Sequence, residues 1–143
     1  MNEKFPVNSI FVYGTLMRGF NYHRLYLADY VIGFSEGCIK GRLYHLKYGY
    51  PAASGGVGTV KGEIYTVRDI DNLIPVLDFL EDHNQPGGED MYMRSIIEAA
   101  DSVGNITLCY VYLWSLLRID ELEREGTYIE HGDWRKFLND SLI

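Results

Sequence analysis

The sequence predicts an α+β domain on a curved antiparallel or mixed β-sheet, flanked by a few helices. Two patterns carry this: about six β-rich runs against two or three helical ones, and the hairpin order in which those runs follow one another. A third is aromatic content. Twelve tyrosines in 143 residues suit half-buried strand positions, where a ring packs on one side and its hydroxyl reaches a partner. Hydrophobic residues make up 47% and charged residues 23%, too apolar a balance for disorder. The length is that of one domain with a real core, so residues 1–143 are expected to form a single unit without repeat or linker.

Ile10, Phe11, Val12 and Tyr13 are a continuous apolar run that stops at Gly14, as a buried strand does at a tight turn. Residues 21–30 are loosely helical, and residues 31–40 and 41–48 extended. The segment Tyr50-Pro51-Ala52-Ala53-Ser54-Gly55-Gly56 combines Pro, Gly and small residues and reads as a loop. Residues 57–67 then alternate as a strand, with Val60, Gly62, Ile64 and Thr66 on one face. The clearest helix is 69–82; with Asn72 as its cap, Pro75 falls in the first turn, where amides lack partners. Residues 84–90, around Pro86-Gly87-Gly88, are the clearest loop. Strands at 91–100 and 105–114 are joined by a hairpin turn at Asp101-Ser102-Val103-Gly104. Short helices are expected at 119–125 and 133–138.

Acidic residues outnumber basic ones by 20 to 13, and the basic residues are scattered singly. Nucleic acid and anionic membranes are therefore excluded as partners, since both require concentrated positive charge. No run approaches the roughly 20 apolar residues of a transmembrane helix, and the segment from Met1 to Asn8 has no apolar core of the signal-peptide kind. Cytoplasmic residence is the expectation. Cys38 and Cys109 lack CxxC or histidine company, so two free core thiols are expected, with no metal site and no cofactor motif. The oligomeric state is left open.

On a helical wheel, Ile70, Leu73, Ile74, Leu77 and Leu80 share one broad arc, and Glu81 falls inside it, while Asp71, Asp78 and Asp82 cluster on the opposite, solvated side. A carboxylate on an inward face must find a partner or rise in pKa. Glu81 is thus either a general acid/base or a structural residue paired with Arg94 or capped by a hydroxyl. The turn Tyr13-Gly14-Thr15-Leu16 supplies a second anchor, because consecutive amides after a buried strand can converge on a carboxylate. Arg18 extends it with a possible charge-assisted bond to an anion. His23 reads as a helix-surface residue or a proton-transfer aid, and His131 with Asp133 as a turn whose aspartate caps the last helix. Glu63 is turned by strand alternation away from the face of Val60, Gly62 and Ile64. Arg94 pairs with a pocket carboxylate or orients Tyr92. Tyr13, Tyr92 and Tyr128 are either packing residues or cavity lining.

Taken together, the sequence resembles the gamma-glutamylcyclotransferase-like family, with a mild leaning to its gamma-glutamylamine cyclotransferase-like branch from Thr15. The resemblance rests on Val12-Tyr13-Gly14-Thr15-Leu16-Met17-Arg18-Gly19 with Asn21 and His23, on Val60-Lys61-Gly62-Glu63-Ile64-Tyr65, and on Leu77-Asp78-Phe79-Leu80-Glu81. Tyr92, Arg94 and Gly132-Asp133-Trp134-Arg135 complete it, in order along nearly the whole chain. It implies a β-barrel-like sheet flanked by helices, with one cavity at the end of the first strand. It further implies that the loop amides bind the α-carboxylate of a γ-glutamyl group and that Glu81 is base and acid in its cyclisation to 5-oxoproline. The substrate would be a small γ-glutamyl amine or peptide, and no cofactor is implied. The competing readings are a non-catalytic γ-glutamyl-binding or regulatory module and an amide hydrolase or acyl transferase; for the last, no Ser/His or Cys/His arrangement supplies a nucleophile.

Overall fold

The computed structural model describes residues 5–81 and 91–141. Its order is β1 (Ser9–Val12), a π-helical turn at His23–Leu27, a 3-10 turn at Ala28–Tyr30, β2 (Val31–His45), β3 (Pro51–Val67) and α1 (Ile70–Leu80). Next come β4 (Tyr92–Asp101), β5 (Ile106–Trp114), a 3-10 turn at Leu116–Arg118, α2 (Ile119–Glu125), β6 (Thr127–Ile129) and α3 (Trp134–Asp140). The strands lie in the order β3-β1-β5-β4-β2-β6, and β2 pairs with β3 as well. That extra pairing closes five strands into a barrel and leaves β6 on its rim, so the α+β, barrel-like expectation holds. Closure removes the free sheet edges that would otherwise template association.

All four residues of β1 are buried, as the apolar run at 10–13 predicts. β1 runs antiparallel to β3, from Ser9 opposite Thr66 to Val12 opposite Glu63, and parallel to β5 at Ile10 and Tyr110. The strands are shorter on one side of the barrel than on the other: β2 and β3 have 15 and 17 residues, enough to reach around it.

Residues 50–56 differ from expectation. β3 begins at Pro51, with Pro51, Ala52, Ala53 and Ser54 all buried, and the segment pairs with β2 from Arg42–Ser54 to His45–Pro51. Proline is tolerated as the first residue of a strand. The glycines serve a bulge, not a turn: the β2–β3 register shifts between Lys40 and Arg42, and a Cβ at Gly58 would stand 2.9 Å from the Gly41 carbonyl oxygen. Such a bulge bends a long strand around a barrel.

α1 begins where the 69–82 reading puts it, but Asn72 is not its cap. Asp69, with φ of 55°, is the N-cap, and Asn72 lies in the first turn, donating from Nδ2 to Asp69 Oδ1 at 2.9 Å. Pro75 is therefore interior. It deprives the Asp71 carbonyl of its helical donor, a loss that costs little here because both residues are exposed to solvent. The inward face is as predicted: Leu73, Ile74 and Leu77 are wholly buried. Asp78 is not on a solvated face. It forms an ion pair with Arg94 of β4 and accepts a hydrogen bond at 2.7 Å from Tyr112 of β5, two residues that stand opposite each other across the strands. This pins the helix to the sheet one turn before Glu81.

The hairpin at 101–104 and the helix at 119–125 stand where expected. β6, which pairs with β2, was not anticipated. Asp133 caps α3, accepting from the Lys136 amide at 3.2 Å. Cys38 is half-buried and Cys109 buried, both free. The loop expected at 84–90 lies outside the described residues. Among the described residues, no helix is long and apolar enough to cross a membrane.

β1 and β3 meet most closely at Gly62, where a Cβ would sit 2.7 Å from Phe11 Cζ and nearer still to the Val12 carbonyl oxygen. Gly62→Ala is expected to lower stability by about 2–3 kcal/mol, read from urea unfolding. A change below about 0.5 kcal/mol would show that this approach is not required.

Candidate active site

β1 delivers the chain to Tyr13, and the end of α1 delivers Glu81. Between them lies a cavity of about 320 Å³ lined by Tyr13, Gly14, Thr15, Leu16 and Glu81. The structure thus brings together all five residues singled out in the sequence, at the end of the first strand. Gly14 belongs at this place because a Cβ there would meet Pro51 Cγ at 2.7 Å.

The loop is a compact turn, with the Met17 amide donating to the Gly14 carbonyl at 2.9 Å and the Phe20 amide to that of Met17 at 3.2 Å. Thr15 and Leu16 line the cavity, and their amides have no acceptor among the described residues. Behind the loop, His23 Nδ1–H donates to the Leu16 carbonyl at 2.9 Å, and the His23 ring packs on Tyr65. His23 is a loop support outside the cavity lining.

Glu63 supports the loop from β3. It does not line this cavity, in keeping with the alternation, yet it is buried. Its Oε1 accepts the Arg18 amide at 2.7 Å and the Tyr65 hydroxyl at 2.8 Å. Arg135 of α3 donates to the Arg18 carbonyl at 2.7 Å and lies 3.5 Å from Glu63 Oε2. The Arg18 guanidinium, expected as an anion contact, packs instead over the Phe34 ring at 4.0 Å. Arg18 matters here through its backbone.

Glu81 is half-buried. Its amide donates to the Leu77 carbonyl at 2.8 Å, while no described side chain or amide donates to its carboxyl. Arg94, the partner in the structural reading, is engaged with Asp78. Burial pushes the Glu81 pKa from the ordinary 4.5 to about 7. Its position at a helix C-terminus, where the partial charge is negative, acts in the same direction.

Around this carboxyl the phenols are already committed. Tyr13 donates to the Tyr112 carbonyl at 2.6 Å and accepts from the Ala53 amide at 3.1 Å, Tyr92 donates to the Pro51 carbonyl at 2.7 Å, and Tyr112 donates to Asp78. Burial, followed by the charge of Glu81, pushes the Tyr13 pKa up; burial likewise leads for Tyr92 and Tyr112, with Asp78 next for the latter. All three stay neutral and present ring surface. Among the described lining residues, Glu81 is then the one able to exchange a proton near neutrality.

Sequence reasoning missed Tyr22, Tyr50, Phe79, Met91 and Tyr112 as lining residues. All five reach the cavity only through tertiary placement. Tyr128 is about half exposed and packs against Tyr44 with the rings tilted by 50°, outside the cavity lining. His131 is exposed and accepts the Asp133 amide at 3.2 Å, part of the turn before α3. Among the described residues no group of three His, Cys, Asp or Glu side chains is placed to hold a metal ion.

The chain is similar to several solved structures. YkqA from Bacillus subtilis shares 23% identity at a TM-score of 0.67, over 94% of this chain but only 42% of YkqA. An AIG2-like protein from Mus musculus shares 27% identity at a TM-score of 0.61, with 86% of each chain covered. The protein ytfP from Escherichia coli shares 30% identity at a TM-score of 0.53, over 88% of this chain and 95% of ytfP. No curated protein matches the chain. The profile of the family described as gamma-glutamyl cyclotransferase, AIG2-like matches residues 10–136, a span that runs from β1 through the Thr15 loop and Glu81 to the start of α3, and the chain belongs to that family.

Proposed function

We propose that the protein cyclises the γ-glutamyl group of a γ-glutamyl amine or peptide to 5-oxoproline, releasing the free amine. The observation that carries this reading is that Glu81, whose carboxyl is unpaired among the described residues and has its pKa pushed up to about 7 by burial, lines the same cavity as Thr15 and Leu16, whose amides have no acceptor among those residues.

The substrate supplies both reacting groups, which decides what the protein must do. The two amides take the α-carboxylate, as a nest of backbone donors does, and so bring the α-amine toward Glu81. As carboxylate, Glu81 removes a proton from the α-amino nitrogen while that nitrogen attacks the γ-carbonyl carbon. The ring C–N bond forms and the old amide C–N bond breaks. The proton passes from Glu81 to the departing nitrogen, giving 5-oxoproline and the amine with no water consumed. A group with a pKa near the working pH suits both halves of this exchange. Folding the substrate into a near-attack geometry provides the rest of the acceleration.

A non-catalytic binder of γ-glutamyl groups would have no use for an enclosed carboxyl without a partner. Ionising Glu81 in this environment costs stability: a rise from 4.5 to about 7 corresponds to about 3 kcal/mol at 1.36 kcal/mol per unit. Because the folded pKa is raised, the cost is complete above about pH 7 and is relieved as the pH falls toward 4.5.

Glu81→Gln is expected to abolish 5-oxoproline release from γ-glutamyl amines, by at least about a hundredfold, while leaving ligand binding measurable. At pH 8 the variant is expected to unfold at a higher temperature than the native protein, with the gain shrinking toward pH 5. Retained turnover would overturn the reading, and a variant less stable at pH 8 would assign Glu81 a structural role. In the native enzyme kcat/KM is expected to fall about tenfold per unit below pH 7, beyond the slope of the substrate's own amine. A limb at pH 4 to 5 would place an ordinary carboxyl in the role.

A further inference from the structure

The parts of the cavity that hold an amino-acid head leave a second region unassigned, the mouth through which the departing amine projects. Its composition is distinctive. Phe79 is 75% exposed and Tyr22 42% exposed, yet both line the cavity, together with Tyr50, Leu80 and Met91. Tyr13, Tyr92 and Tyr112, in contrast, are each at most 7% exposed and form the floor. The rings at the mouth come from unrelated elements, Tyr22 from the segment before the π-helical turn and Phe79 from the last turn of α1.

Among the described residues, the lining includes no Lys, Arg, His or Asp, and Glu81 is its one charged group. A γ-glutamyl head would use the loop amides for its carboxylate and Glu81, the one charged group among the described lining residues, for its amine. Among the described residues, an amine side group carrying further charge would lose water at the mouth without gaining an ionic partner, which is costly. An apolar side group would gain contact with ring faces and aliphatic carbons. The exposed rings of Phe79 and Tyr22 belong to one cavity lining with Tyr50, Leu80 and Met91, an apolar surface of the kind that a ligand covers. A cavity of about 320 Å³ is also at the lower end of small-ligand sites, suited to a compact amine.

We infer that the departing amine carries a neutral, apolar side group, aromatic or branched aliphatic, seated against Phe79 and Tyr22, so that a γ-glutamyl arylalkylamine is preferred to a γ-glutamyl-lysine isopeptide or a γ-glutamyl diamine. This rests on the cyclisation proposed above. Phe79 and Tyr22 set specificity and take no part in proton transfer.

The test compares γ-glutamyl amides of phenethylamine, ethylamine, putrescine and the lysine ε-amine. 5-Oxoproline release is measured with the native protein, and binding is measured by calorimetry with Glu81→Gln. The phenethylamide is expected to exceed the ethylamide in kcat/KM by roughly ten- to a hundredfold, to exceed both charged amides by more, and to keep that rank in binding. Phe79→Ala is expected to shrink the phenethyl-to-ethyl ratio about tenfold, whatever its effect on absolute rates. Equal or better use of putrescine or lysine amides overturns the inference and leaves cyclisation standing. If no amide is turned over, the cyclisation reading fails, while the binding rank still decides the character of the mouth: a flat rank, or one led by the charged amides, overturns the inference.

Discussion

The structure depends on how closely β1 and β3 can approach. At Gly62 the space for a side chain is filled by Phe11 and by the carbonyl of Val12, which lets the barrel close at the place where β1 ends. The chain leaves β1 through the turn at Gly14, in a direction set by that closure. One residue further along β3, Glu63 takes the Arg18 amide. β3 therefore both seats β1 and fixes the far end of the loop that β1 feeds. The loop is tied at its far end by Glu63 of that strand and in its middle by His23 on the Leu16 carbonyl. The proposed nest of amides would bind well only if it holds its shape without the ligand, and these bonds favour that.

Glu81 occupies the opposite wall under a different constraint. α1 is held by the buried Leu73, Ile74 and Leu77 and by Asp78 with Arg94 and Tyr112. The last of these matters for chemistry as well as packing. Arg94, the partner that a structural reading would give Glu81, is engaged by Asp78. The three phenols nearest Glu81 are occupied by Pro51, Asp78 and the Tyr112 carbonyl. Among the described residues no group pairs with the Glu81 carboxyl, and its raised proton affinity is a product of burial. Stability given up at one carboxyl is characteristic of a site shaped for function.

Much of this was legible in the sequence. The periodicity that buried Leu73, Ile74 and Leu77 also put Glu81 on the inward arc, and the apolar run ending at Gly14 located the loop. These are local patterns with a fixed geometry. The segment at 50–56 was misread because Pro and Gly mark bulges and strand starts as well as turns, and only the pairing of β2 with β3 distinguishes them. Asp78 was assigned to solvent because its partners come from β4 and β5, far along the chain. Arg18 and Glu63 show a related limit: the residue types were noticed, but a side chain that packs on Phe34 and a carboxylate that accepts a backbone amide are products of tertiary placement. β6, three residues long, carries too short a pattern to read.

The central claim is that Glu81 is a carboxyl whose proton affinity has been raised into the neutral range by enclosure. It is tested most directly by ¹³C NMR of the protein labelled at the glutamate side-chain carboxyl, with Glu81→Gln identifying the resonance. The account predicts a Glu81 titration midpoint near 7 in the unliganded protein, well above the ordinary glutamate value. A midpoint of 4 to 5, indistinguishable from the others, would contradict it.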